Sequence, residues 1–356
     1  MTDASGWPQA ASTGLVLEAR GLTRHFRVGG LRGHTLHAVD QLDMGIAERE
    51  IVALVGESGS GKSTVARLLA MVFRPTSGEI LFRGQPVSSL RRRRQLLAYR
   101  GEVPMVFQDP FSSLNPAHTI GYALGRGLKL HRPELDRRQR QAEAERVLEV
   151  VGLVPPAFIM SKYPYELSGG QRQRVGFAQA LSYRPKLVLA DEPVSMLDVS
   201  IRIGLLNVMA RLREDEKVSL LYITHDIASA RYVSDRVLVM YAGHLVEQGP
   251  TDEVLHNPVH PYTRLLLSAV PDPRAEMSIT SADVGEPPRV IDPGEGCRFR
   301  WRCPLATDVC SEVTPRLQSA SPQHEAACHV TAPGPVPAAS VPGHRPRSCP
   351  RARAWR

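Results

Sequence analysis

The sequence predicts an α/β fold in which helices flank a parallel sheet, and two patterns carry that reading. Short apolar runs at Ile51–Val55, Leu187–Ala190, Leu220–Ile223 and Val237–Met240 have the length and composition of buried strands. Between them, Thr64–Leu69 and Glu134–Val151 have helical spacing and few breakers. Strands that alternate with helices argue for parallel pairing.

In chain order, residues 1–14 read as a frayed leader, with no basic stretch followed by an apolar block and so no export signal. From Leu15 short apolar strands are broken by Gly, and the GG and RG pairs around Gly29–Gly33 predict a turn. Ile51–Val55 ends in Gly and is followed by the helix Thr64–Leu69. Ser88–Arg100 is polar and Arg-rich, and Arg91–Arg94 within it reads as a solvated face. Asp215 and Glu216 form an acidic patch without visible chemistry. Pro and Gly become dense after Pro271, where a second, smaller unit is expected to begin.

Composition excludes several classes. No run of 18 apolar residues exists in the 356, so no segment spans a bilayer by itself. All five Cys lie between Cys297 and Cys349, which is not a disulfide framework spread over a secreted fold. The chain is therefore expected in the cytosol. Its net charge is +8, but residues 331–356 supply five Arg, six Pro and no acid. The remaining +3 is too little for a basic nucleic-acid face, and the tail reads as disordered.

Gly56–Ser63 reads GESGSGKS and fits G-x-x-x-x-G-K-[ST], with a strand before it and a helix after it. Gly56, Gly59 and Gly61 let the backbone wrap tightly, so that amides along Gly56, Glu57, Ser58, Gly59, Ser60 and Gly61 can converge on phosphate oxygens. The helix that follows adds the positive end of its dipole. Lys62 would place its charge at the β/γ-phosphates, Ser63 would bind Mg²⁺, and Thr64 would reach further back along the phosphate chain. The run LVLADE (Leu187–Glu192) is a strand ending in two carboxylates. Asp191 is expected to hold the Mg²⁺ water shell, and Glu192 to polarise the attacking water as general base.

Leu167–Gln171 reads LSGGQ. With the loop and the carboxylates, this chain resembles the ATP-binding-cassette (ABC) ATPases, whose signature is that pentapeptide. In physical terms Ser168 caps a helix, and Gly169, Gly170 and Gln171 present its N-terminal amides to an anion. The resemblance implies that the anion is the γ-phosphate of ATP on an opposite subunit, so that two cassettes sandwich two nucleotides. It further implies an adenine-stacking role for Phe26 in LTRHF and Mg²⁺ contact with partner coupling for Gln108 in MVFQDP. Asp198 in SMLD would cross the dimer interface, and His225 in YITHD would contact the γ-phosphate. The implied fold is an ABC-type phosphate-loop core with a helical subdomain inserted around residues 112–185. Residues 15–270 would form this ATPase domain, 271–330 a small Cys-containing C-terminal unit, and 331–356 the tail.

FQDPFSSLNP (Phe107–Pro116), HPYTRLLLSAVPDP (His260–Pro273) and GCRFRWRCP (Gly296–Pro304) are similar to the oligopeptide/dipeptide importer ATPases, a group that also holds nickel and glutathione importers. This implies a membrane importer on the cytoplasmic face of the cell membrane. Its companions would be a second, paralogous ATPase, two transmembrane permeases and an extracytoplasmic substrate-binding protein, with no nucleic acid. A soluble cassette in DNA repair or translation and a non-hydrolysing regulatory subunit are the readings from other classes. The sequence departs from the family at Gln179-Ala180-Leu181, Met196 and Met71–Gly78, which touches partner contacts and rate rather than the chemistry.

Cys297, Cys303, Cys310 and Cys328 have spacing C-x5-C-x6-C-x17-C, with His329 beside the last. Four thiolates in one short unit can ligate Zn²⁺ or an iron–sulfur cluster, and reduced, partly buried thiols are the alternative. Some members of the resembling family carry a [4Fe–4S] cluster at such cysteines, which makes that cluster the expectation here, while Cys349 in the tail is unrelated.

Overall fold

A computed structural model of the chain describes residues 14–29, 33–109, 114–195, 197–269 and 290–331. Its strands are β1 (Leu15–Val28), β2 (His34–Ala47), β3 (Ile51–Val55), β4 (Ser77–Phe82), β5 (Gln85–Pro86), β6 (Met105–Val106), β7 (Leu187–Asp191), β8 (Ser219–Thr224), β9 (Arg236–Tyr241), β10 (His244–Pro250), β11 (Gln318–Ser321) and β12 (His324–Ala326). The helices are α1 (Lys62–Leu69), α2 (Arg93–Glu102), α3 (Ile120–His131), α4 (Arg137–Val150), α5 (Pro156–Ser161), α6 (Gly169–Ser182), α7 (Val199–Glu214), α8 (Ile227–Val233), α9 (Thr251–His256), α10 (Pro261–Ser268) and α11 (Val309–Glu312).

One sheet runs β9-β3-β8-β7-β6 with all neighbours parallel and is extended past β9 by antiparallel β10, β12 and β11. A second, antiparallel sheet runs β2-β1-β4-β5. The parallel strands are apolar except at their ends because both of their faces are covered. Ile51, Ala53 and Val55 of β3 pack into a core shared with the helices from α3 to α7. Val52 and Leu54 point the other way, into a core formed with α1, α2 and the antiparallel sheet. The same alternation holds in β8, where Leu220 and Tyr222 join the first core and Leu221 and Ile223 the second.

The helix expected at Glu134–Val151 begins at Arg137, because Asp136 accepts the Gln139 N–H at 2.8 Å and Gln139 reciprocates to the Asp136 N–H at 2.9 Å. The strand expected at Ile51–Val55 has those bounds, and the other three predicted strands lengthen by one or two residues. The short strands expected after Leu15 are instead two 14-residue strands, β1 and β2. Register shifts around Ala19/Leu22, Leu22/Arg24 and Arg24/His25 let these strands carry polar residues without a clean alternation. The frayed leader up to residue 13, the tail from 332 and most of the Pro- and Gly-dense stretch lie outside the described residues.

Residues 290–331 do not stand apart from the ATPase domain. Strand β12 extends the main sheet through Glu247↔Ala326 and Gln248↔Glu325, and Phe299 is buried in the core of the parallel sheet. The sequence suggested a separate unit because strands of four and three residues carry no readable period.

Candidate active site

Four parallel strands, β3, β6, β7 and β8, end along one edge, and each hands its next residues to the site. Their register aligns Val55 with Thr224, Asp191 with Ile223, and Val106 with Ala190. This is the carboxyl edge where open α/β sheets bind ligands.

Between Val55 and Lys62 the chain must turn from strand to helix. Gly56, Gly59 and Gly61 have φ of 155°, 78° and 105°. A Cβ at Gly56 would stand 2.1 Å from the Met240 carbonyl oxygen, and one at Gly61 2.2 Å from that of Ala38, so no side chain fits at either position. Lys62 folds back into the loop, its Nζ donating to the Gly56 and Glu57 carbonyls at 2.7 Å each. Burial pushes its ammonium down to about 8, although Glu192, Asp191 and Glu57 act to hold the proton.

Asp191 is buried at the end of β7, and its Oδ1 accepts the Ser63 hydroxyl at 2.8 Å. Burial raises its carboxyl pKa, and the Ser63 bond opposes the rise. Adjacent ligands of an octahedral Mg²⁺ at ~2.1 Å stand about 3.0 Å apart, so these two converging oxygens could turn to one ion with little movement. Glu192 follows with φ 45°, a left-handed conformation that costs a side-chain-bearing residue about 1 kcal/mol. Its N–H is held by the Ile223 carbonyl at 2.9 Å. Its Oε2 accepts from Gln108 Nε2 at 3.3 Å and lies 3.2 Å from His225 Nδ1. Carboxylate, amide and imidazole thus meet on one oxygen, with Lys62 near enough to feel the charge.

Ser168 accepts the Gln171 N–H at 3.2 Å and its own N–H is accepted by the Gln171 side chain at 2.9 Å, so the signature opens α6 as a capping box. Ser168 is exposed, whereas Gly170 is buried. A Cβ there would come within 2.3 Å of Ile201 Cγ2, so part of the demand for Gly is the approach of α7. Among the described residues no hydrogen bond joins Leu167–Gln171 to Gly56–Ser63. Phe26 lies under the Arg24 guanidinium at 4.5 Å and meets Phe73 edge-on at 5.5 Å. Asp198 is exposed at the start of α7. Met196 and residues 110–113 of the FQDPFSSLNP run fall outside the described residues.

Several residues of the site had no sequence signal. Gln173 of α6, buried, donates to the Phe107 and Gln108 carbonyls at 3.3 and 2.9 Å and so couples the signature helix to the loop bearing Gln108. Tyr262 accepts the Glu57 N–H through its hydroxyl at 2.8 Å, so that amide is already engaged within the loop. Arg302 grips the Glu57 carboxylate. Outside the site, Glu216 of the acidic patch accepts from Arg146 at 2.7 Å.

Behind the loop, Asp40 accepts from His25 and His37 at 2.7 Å each and pairs with Arg298. Among the described residues His25, His37 and Asp40 are the one trio whose ligand atoms all lie within 4.8 Å. Arg298 makes Asp40 an internal counter-ion instead; burial acts to raise its carboxyl pKa, but His244, His37, His25 and Arg298 together hold it far below the usual range. The four cysteines carry free thiols; Cys310 is buried and the Cys297 N–H donates to the Cys310 carbonyl at 2.7 Å. Burial, with the neighbouring Cys310, Cys303 and Cys328, pushes the Cys297 thiol up to about 11.

Among the described residues no helix is long and apolar enough to cross a membrane. The ABC transporter family matches residues 39–195, and the oligopeptide/dipeptide transporter C-terminal region matches residues 246–310. The oligopeptide transport ATP-binding protein AppF of Bacillus subtilis is 40% identical over 328 residues, covering 90% of this chain and 99% of AppF. The oligopeptide transport ATP-binding protein OppF of Escherichia coli is 43% identical over 297 residues, covering 83% of this chain and 88% of OppF. Among solved structures, a dimeric post-hydrolysis state of the ATP-binding cassette MJ0796 bound to ADP and Pi superposes with a TM-score of 0.59 at 26% identity, covering 66% of this chain and 98% of that one. The cassette core and the C-terminal region of the oligopeptide branch are thus joined in a single chain, which belongs to the ABC transporter ATP-binding family and is an ATPase.

Proposed function

We propose that this chain is the ATP-hydrolysing subunit of an importer that drives uptake of oligopeptides or dipeptides through partner permeases. The observation that carries the reading is the meeting of Glu192, His225 and Gln108 on one carboxylate oxygen beside the phosphate loop. Glu192 orients the attacking water and accepts its proton, while His225 and Gln108 hold the carboxylate in place. Lys62 and the loop amides stabilise charge on the transferring phosphoryl group, and His225 faces the γ-phosphate. Ser63 and Asp191, with Gln108, would hold Mg²⁺, which supplies charge neutralisation at the phosphate oxygens. The exposed Ser168 end of α6 offers amides to the nucleotide of a second cassette, across an interface that includes Asp198, and Phe26 stacks on adenine.

In this reading the companions are a paralogous ATPase, two permeases and an extracytoplasmic binding protein, assembled at the cytoplasmic face of the membrane. Nickel or glutathione as cargo would keep the mechanism; the C-terminal match to the oligopeptide/dipeptide region favours peptides, and it disfavours a role in repair or translation. Glu192→Gln is expected to bind ATP while losing roughly 100-fold or more in turnover. Tagged Glu192→Gln, captured with ATP from detergent-solubilised native membranes, should bring down two multi-span permeases and a second cassette by mass spectrometry. Recovery with ribosomes or DNA from the soluble fraction would sink the transport reading.

A second proposal concerns Cys297, Cys303, Cys310 and Cys328. Thiolates on one Zn²⁺ at ~2.3 Å stand less than about 4 Å apart. No three of these four sulfurs lie within 4.8 Å of one another, yet the thiols act on one another electrostatically. A [4Fe–4S] cluster with a structural or sensing role fits this all-thiol donor set. Anaerobically purified chain should contain iron and acid-labile sulfide and absorb in the visible; the absence of all three overturns the proposal.

A further inference from the structure

The phosphate loop carries an acid where its ligand is a polyanion. The Glu57 carboxylate is close enough to Lys62 to act on its ammonium, so left bare it would also repel a triphosphate. The fold does not leave it bare. Arg302 Nη1 and Nη2 donate to Glu57 Oε2 and Oε1 at 2.8 and 2.9 Å, a two-pronged pair in which the arginine side chain is 11% exposed and the glutamate 24%. The same loop residue is held a second time, through its N–H, by the Tyr262 hydroxyl at 2.8 Å.

Both holding groups are themselves fixed. Tyr262 is fully buried, its ring 4.6 Å from that of Tyr241 and 5.5 Å from that of Phe299. Arg302 lies over the Tyr241 ring at 5.7 Å and donates to its hydroxyl at 3.4 Å. These partners come from 205 and 245 residues further along the chain, from two segments outside the nucleotide-binding motifs.

We propose that Tyr262 and Arg302 are positioning residues of the ATP site, Tyr262 fixing the path of the phosphate loop at Glu57 and Arg302 cancelling the Glu57 charge. The C-terminal segment then sets ATP affinity without touching nucleotide. The inference rests on ATP binding at Gly56–Ser63, and wild-type protein that fails to bind ATP would refute that premise rather than the assignment.

The test uses the full-length chain and reads ATP KM, kcat and thermal midpoint together. Arg302→Ala is expected to raise KM about tenfold, equivalent to ~1.4 kcal/mol, with kcat little changed. The defect should shrink at high salt, because an uncompensated charge is screened. Removing the orphaned acid in the double variant Glu57→Gln/Arg302→Ala should recover most of the affinity, and Arg302→Lys should recover part of it. A lowered thermal midpoint with unchanged KM, or a double variant as weak as Arg302→Ala, would mean that Arg302 only packs and would overturn the proposal. Should Arg302→Ala not fold, Tyr262→Phe removes one hydroxyl from an intact ring. It must raise KM for the proposal to stand, and an unchanged KM defeats it.

Discussion

At the scale of single residues, Lys62 shows how burial converts a motif position into a pH-dependent one. Its side chain is 4% exposed and its ammonium titrates near 8, against 10.5 when free. Between those values the unfolded chain binds more protons than the folded one, so the folding penalty of this group shrinks as pH rises through that window. ATP has the opposite effect, because it binds the charged form. ATP affinity is therefore expected to fall as pH rises above 8, with a limiting slope of one proton, or about tenfold per pH unit. Calorimetric titration from pH 7 to 9.5, in buffers of different ionisation enthalpy, should show proton uptake on the alkaline side; a flat profile would contradict the burial of this charge. The identity of Lys62 was legible in GESGSGKS, as were Ser63 and Asp191, because phosphate chemistry fixes residue type and spacing. Gln173 was not legible, since a glutamine in a polar stretch of helix announces nothing until two carbonyls of a distant loop lie within its reach.

Among the elements, β10 does more than its sequence suggests. Glu247 is fully buried on it and accepts the Val259 N–H at 2.7 Å, the His260 N–H at 2.9 Å and His324 Nε2 at 2.7 Å. One carboxylate thereby ties β10 to the start of α10 and to β12. Glu247→Ala would strand two backbone donors and a buried imidazole, and is expected to lower stability by about 3 kcal/mol. Urea unfolding, with its slope unchanged, checks this; a loss below 1 kcal/mol would show that water replaces the carboxylate. The helices and parallel strands were readable to within a few residues because apolar period and capping are local. Strands β1 and β2 were read as short because their register shifts admit polar residues that break the alternation. A buried Glu cannot be distinguished from an exposed one by sequence, since its three partners are fixed only by the path of the chain.

For the whole molecule, the parallel sheet gathers Gly56–Ser63, Gln108, Asp191–Glu192 and His225 onto one edge, and the C-terminal region closes on the loop through Tyr262 and Arg302. A chain that reads as an ATPase domain followed by a smaller unit folds, over its described residues, with a shared sheet and a shared core. The α/β class, the ATP-binding motifs and the importer family were legible without coordinates, because strand period, phosphate chemistry and signature segments are written in local residue order. That Glu57 is neutralised by Arg302, that Gly170 makes room for Ile201 and that β12 and β11 extend the main sheet emerges only from the three-dimensional packing. Each of these depends on a contact between residues far apart in the chain, whose closure is set by packing of the whole core and leaves no periodic trace in either segment.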